Sequence, residues 1–244
     1  MNKFSNGIKR ITNIRIRSMR SIRLFLMTAV IVMLVGAILS VKLAAYSDNV
    51  SKDISDNLLR LHVVANSDSE EDQELKLKVR DKILEYVQRI LEDSSGIQET
   101  ITIVNENIDD IIKLANDEVA ANGETYAVTA NLGSYPFPTK TYGDVALPAG
   151  YYQALRVVIG NGDGGNWWCV LFPPLCFVDA SRGKVPDSVK KDLQEVLTEE
   201  EYNLLVISDE ERDLPIKVKF KVVEFFQETK IKFSGMWSKI FGSK

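Results

Sequence analysis

Residues Leu24 to Val41 form an uncharged apolar run broken only by Thr28, Gly36 and Ser40. Seven cations precede it: Lys3, Lys9, Arg10, Arg15, Arg17, Arg20 and Arg23. As a helix rising about 1.5 Å per residue, the run reaches about 27 Å, most of a ~30 Å hydrocarbon core. The cationic arm holds its start at the cytoplasmic face, so the segment reads as an export signal and everything after it as extracytoplasmic. The competing reading is a buried core helix, and such helices rarely follow unbalanced cations. Ala45-Tyr46-Ser47 has the small-x-small pattern of a signal-peptidase site. The reading taken is cleavage before Asp48, with an uncleaved membrane anchor over residues 24–41 as the alternative.

The charge distribution follows the same division. Of the 30 Lys and Arg side chains, eight lie in residues 1–47, which hold no acid; the remaining 197 residues carry 22 cations against 34 carboxylates, a net of −12. A folded part this acidic excludes a general nucleic-acid binder, which needs a surplus of cations to neutralise phosphates. Three segments result: residues 1–47 as basic arm and signal or anchor, 48–226 as the exported domain, and 227–244 as a basic amphipathic tail.

Within the exported part, Asn57 to Ala65 reads as a strand with Leu59, Leu61, Val63 and Ala65 on one face. After the turn at Asn66-Ser67-Asp68, Ser69 followed by Glu70, Glu71 and Asp72 is a helix start. Leu75, Val79, Ile83, Val87 and Ile90 then form an apolar stripe, with Lys76, Lys78, Arg80 and Lys82 on the solvated face. Ile101 to Val119 predicts one further helix, stopped at Asn122-Gly123. Thr125 to Leu132, Tyr151 to Ile159 and Trp167 to Val178 predict strands, and Ser134 to Pro148 a long loop. Val185 to Leu205 predicts two short helices broken at Thr198-Glu199-Glu200-Glu201. Ile216 to Val222 alternates with period two and predicts a half-exposed strand. Strands and helices are mixed without a βαβ rhythm, so the expected class is α+β, a mixed or antiparallel sheet with helices packed on it behind the N-terminal signal or anchor helix.

Few residues could carry catalysis. Gly160-Asn161-Gly162-Asp163-Gly164-Gly165 satisfies G-x-G-x-x-G, but Trp167 and Trp168 continue as strand where a phosphate site requires a helix, so a hairpin loop is expected. The acids Asp68 to Glu74 fail as a calcium loop, because Glu71 stands where the turn needs Gly and Leu77 where a bidentate Glu is needed. His62, the only histidine, excludes multi-histidine zinc sites and leaves a hydrolase using His62 as a minor alternative. No metal, cofactor or small-molecule substrate is expected. Cys169 and Cys176 either form a disulfide, as an even count in an exported chain suggests, or remain buried thiols. Trp167, Trp168, Phe172, Pro173, Pro174 and Phe177 make an aromatic hairpin suited to a partner. The tail places Phe233, Met236, Trp237, Ile240 and Phe241 on one helical face among lysines, for contact with an anionic membrane surface or packing on the parent domain.

Two separated stretches, Arg60-Leu61-His62-Val63-Val64-Ala65-Asn66-Ser67-Asp68-Ser69 continuing through Asp72 to Asp81, and Asn166-Trp167-Trp168-Cys169-Val170-Leu171-Phe172-Pro173-Pro174-Leu175-Cys176-Phe177-Val178-Asp179, resemble the stage II sporulation protein R family. The likeness covers most of residues 57 to about 226 and includes neither the basic arm nor the tail. It implies a signalling protein exported from the forespore into the space between the two sporulation membranes. There such a protein activates a membrane-embedded aspartic protease of the mother cell, which then removes the pro-sequence of a sigma factor. The expectation is a non-enzymatic activator whose partner contacts come from Arg60, His62, Asn66 and Asp68 and from Trp167, Trp168, Phe172, Pro173 and Pro174. A membrane-tethered structural domain is a further alternative.

Overall fold

The computed structural model describes the backbone of residues 2–177, 184–206 and 214–241, and the side chains of residues 23–176, 184–206 and 219–236. The chain divides into two compact units, Met1–Tyr46 and Ser47–Lys244. The first is helical, and its apolar run is exposed along almost its whole length, as suits an export signal or a membrane anchor. Helix α1 (Asn2–Asp56) contributes to both units.

In the second unit, a four-stranded mixed sheet has the order β2-β5-β1-β6, with β1 Leu59–Val64, β2 Val128–Phe137, β5 Gly150–Ile159 and β6 Asn166–Phe172. β1 lies parallel to β5 and antiparallel to β6, and β2 is antiparallel to β5. Helices α2 (Glu70–Ile90), α3 (Ile97–Glu106) and α4 (Ile108–Ala121) cover one face. There Leu61, Val63, Leu155, Val157 and Cys169 meet Leu75, Val79, Ile83, Val87 and Ile111 in one buried cluster. The other face is buried as well: Arg60, Tyr152, Ala154 and Val170, alternating with the first set, are fully covered. The remaining elements are a hairpin, β3 (Lys140–Tyr142) and β4 (Val145–Leu147), with α5 (Asp187–Val196), α6 (Glu199–Leu205) and α7 (Leu214–Phe241).

The helix-start chemistry read from the sequence is present. Ser69 Oγ accepts from the Asp72 amide, and Thr198 and Glu201 form a reciprocal capping box. Four expectations are corrected. The single helix over 101–119 is two, because Asn107 Nδ2 bonds Ile103 O while its Oδ1 accepts from Tyr86, so its side chain competes with the helix backbone. The loop over 134–148 contains strand: β2 runs on to Phe137, tolerating Pro136 at the sheet edge, and Gly143 at φ 56° turns β3 into β4. Residues 216–222 lie within α7 rather than in a strand. Alternation over seven residues also holds i, i+4 pairs, and Val223 and Gln227 continue a helical stripe into the buried side. Finally, Lys76 is buried, its Nζ bonding Gln73 Oε1 and Gly165 O.

Candidate functional site

The segments from β1 to α2 and from β5 to β6 interlock. β5 and β6 are not neighbours, so Gly160–Gly165 is not the expected hairpin loop but a crossover passing over the C-terminal end of β1. It grips the turn after β1 through backbone groups. Asp163 N donates to Asn66 O (3.1 Å), Gly164 N to Ala65 O (3.0 Å), and Asn161 N to Asn66 Oδ1 (3.0 Å). The approach excludes side chains: a Cβ on Gly164 would stand 2.0 Å from Ser67 O, and one on Gly160, at φ +58°, 2.2 Å from Asn66 Oδ1. Asn66 Nδ2 and Ser67 Oγ both donate to Asp72 Oδ2. Burial pushes the Asp72 carboxyl up, but these donors outweigh it and hold the group below the ordinary carboxylate range. Asn66 is thus an organiser of the turn, while Asp68 is exposed. The glycine spacing was the sequence signal for this clasp.

The two tryptophans of β6 point to opposite faces. Trp167 packs on the helix-covered side under Arg80, whose guanidinium lies 4.0 Å from the ring centroid. Trp168 faces the other way, stacked on His62 at 5.7 Å, with Lys140 Nζ 4.5 Å above its ring. His62 Nε2 donates to Asn166 Oδ1 at 2.6 Å, an amide oxygen that only accepts, and the buried Nδ1 has no partner. Burial first, then Arg156 and Arg60, lower the His62 pKa against the opposing Asn166 bond. Arg60 is fully buried between the rings of Phe137 (4.0 Å) and Tyr152 (4.7 Å). Its Nη2 donates to Tyr142 Oη, which donates to Trp168 O; its Nε and Nη1 have no partners. Burial pushes the Tyr152 hydroxyl up to about 12, so it stays neutral and donates to Pro148 O. Arg60 therefore presents no surface in this conformation, and His62 almost none.

Cys169 and Cys176 are joined by a disulfide, which removes both thiols as nucleophiles, and His62 carries neither a carboxylate nor a hydroxyl on Nδ1. Among the described residues no group of His, Cys, Asp and Glu is placed to hold a metal.

The end of β6 borders an open groove of about 950 Å³. Its floor is apolar, built from Leu91, Leu171, Phe172, Pro174 and Val189, and its rim carries Arg89, Glu92, Asp192 and Glu195. Phe172 and Pro174 were expected partner residues; Pro173, joined to Phe172 by a cis peptide bond, is buried. The disulfide ties the turn Leu175–Phe177 back to β6 beside this floor. The α2 and α5 side chains of the groove were not legible as one site, because about a hundred residues of chain separate them. The Phe177 side chain lies outside the described residues.

The profile of the family described as stage II sporulation protein R matches residues 55–182, which hold β1, the clasp and β6. A protein of Bacillus subtilis (strain 168) named stage II sporulation protein R is 34% identical over 194 residues, covering 76% of this chain and 87% of its own length. No solved structure matches the chain. By profile and by identity, the chain belongs to the stage II sporulation protein R family.

Proposed function

We propose that the chain is a non-catalytic sporulation signal, exported from the forespore into the space between the two sporulation membranes. It binds the outer face of a membrane-embedded aspartic protease and shifts it to the active state, and that protease then removes the pro-sequence of a mother-cell sigma factor. Family membership supports the sporulation role, and the apolar helix with its cationic arm supports export. An activator must bind the active form of its target more tightly than the inactive one. The observation that carries the contact is the groove beside β6, where an apolar floor under three carboxylates and one arginine suits a partner segment with apolar side chains flanked by cations.

The test is made in sporulating cells. Deleting the gene leaves the sigma-factor precursor uncleaved, and normal processing without it would sink the activator reading. Asp192→Lys combined with Glu195→Lys reverses the rim and lowers precursor processing about tenfold or more, since like charges across an interface cost several kcal/mol. The purified variant keeps its melting temperature. Full processing by a stably folded double variant removes the groove from the contact.

A further inference from the structure

Outside α1, the large apolar side chains more than half exposed among the described residues are Phe225 (65%), Phe233 (57%) and Met236 (53%), all on α7. At 100° per residue, Phe225 and Met236 stand about 20° apart and Phe233 within about 80° of Phe225. Val223 and Gln227 are buried on the opposite side of the same helix. α7 is thus seated by one stripe and turns an apolar stripe outward. From Lys230 to the end, the sequence carries Lys230, Lys232, Lys239 and Lys244 and no acid, although residues 48–244 are strongly acidic overall.

We infer that the outward face of α7 docks on an anionic lipid surface, with Met236 and Phe233 at the acyl boundary and Lys232 among the phosphates. Charge selects this occupant: from Lys219 to Phe241 the sequence of α7 holds five lysines against Glu224 and Glu228, and a helix with a cation surplus and an exposed apolar stripe is complementary to anionic headgroups. Chain length places the surface within reach. Asp48 Oδ1 accepts from Gln227 Nε2 (2.9 Å) and Lys230 Nζ (3.0 Å), so the basic half of α7 begins beside Asp48. Asp48 follows the apolar run's last residue, Val41, by only seven residues, at most about 25 Å of chain. With α1 kept as an anchor, the alternative to cleavage before Asp48, the chain meets the bilayer at high effective concentration, and α7 supplies the second, weaker contact that fixes orientation. The inference is independent of the protease-activation reading.

The test uses the full chain with Met236→Cys, labelled with an environment-sensitive dye; both native cysteines are held in the disulfide. The protein is reconstituted into vesicles of phosphatidylglycerol and phosphatidylcholine in equal parts, and into vesicles of phosphatidylcholine alone. In the anionic vesicles the emission shifts to the blue and quenching by neutral acrylamide falls several-fold. Both changes reverse in phosphatidylcholine alone and in high salt. A dye at Glu71→Cys, on the exposed start of α2, is quenched equally in both. Equal quenching at position 236 in the two vesicle types overturns the inference. Circular dichroism of the labelled chain confirms that its helix content is unchanged.

Discussion

At the scale of single residues, the centre of the sheet is governed by burial of polar groups. Arg60 is a fully buried cation held by two aromatic faces and one tyrosine hydroxyl, with two donor nitrogens unpaired. Such a group is destabilising unless its surroundings compensate, and the ring quadrupoles of Phe137 and Tyr152 are the compensation present. His62 lies beside it, its pKa lowered chiefly by burial. Because its folded pKa lies below the ordinary 6.5, the unfolded chain takes up a proton that the native state refuses. Stability is therefore full above pH 6.5, falls as the pH drops below that value, and levels off below the folded pKa. Denaturant titrations of wild type and His62→Gln across this range check it: the wild-type curve carries the His62 loss and the variant's curve is flatter by that amount. Equal slopes would mean that the His62 pKa is the same in the native and unfolded chain. In the sequence, Arg60 and His62 read as one face of an alternating strand available to a partner. Alternation identifies which residues share a face, but not whether that face is covered.

At the scale of elements, signals carried within one turn of chain were legible. Ser69 and Thr198 cap their helices because the bond from a side-chain oxygen to an amide three residues on needs nothing else in the molecule. Signals shared by two kinds of element were not: the alternation at Ile216 to Val222 suits a strand, and its i, i+4 pairs suit the helix that forms. The choice rests on tertiary burial of Val223 and Gln227. The cysteine pair was legible as a candidate by its even count, and it closes a loop within a single connection. Replacing both cysteines by alanine should lower the unfolding free energy by about 2–3 kcal/mol on the loop-entropy estimate, measured by urea denaturation against the oxidised wild type. A change near zero would show that the reduced loop is already constrained by its packing on β6.

At the scale of the whole molecule, the segregation of cations from acids already separates a helical membrane-directed segment from an acidic folded part. The Ala45-Tyr46-Ser47 motif favours cleavage, yet the backbone across it is helical, and Ser47 is buried with its Oγ bonded to Val223 O. A helix commits its amides and carbonyls to intrahelical bonds, withdrawing the extended backbone a peptidase reads. The expected outcome is a mature chain that keeps residues 1–47 and fractionates with membranes; an intact mass beginning at Asp48 would refute it. By itself the sequence determined the apolar N-terminal helix, the capped helices, the cysteine pair, the α+β class and the family likeness, because each is written in composition or in spacings of a few residues. Only the tertiary structure decided that β1 inserts between β5 and β6, that Arg60 and His62 are enclosed, and that α2, β6 and α5 share a groove. These depend on contacts between residues about a hundred positions apart, whose energies come from mutual burial and leave no local periodicity to read.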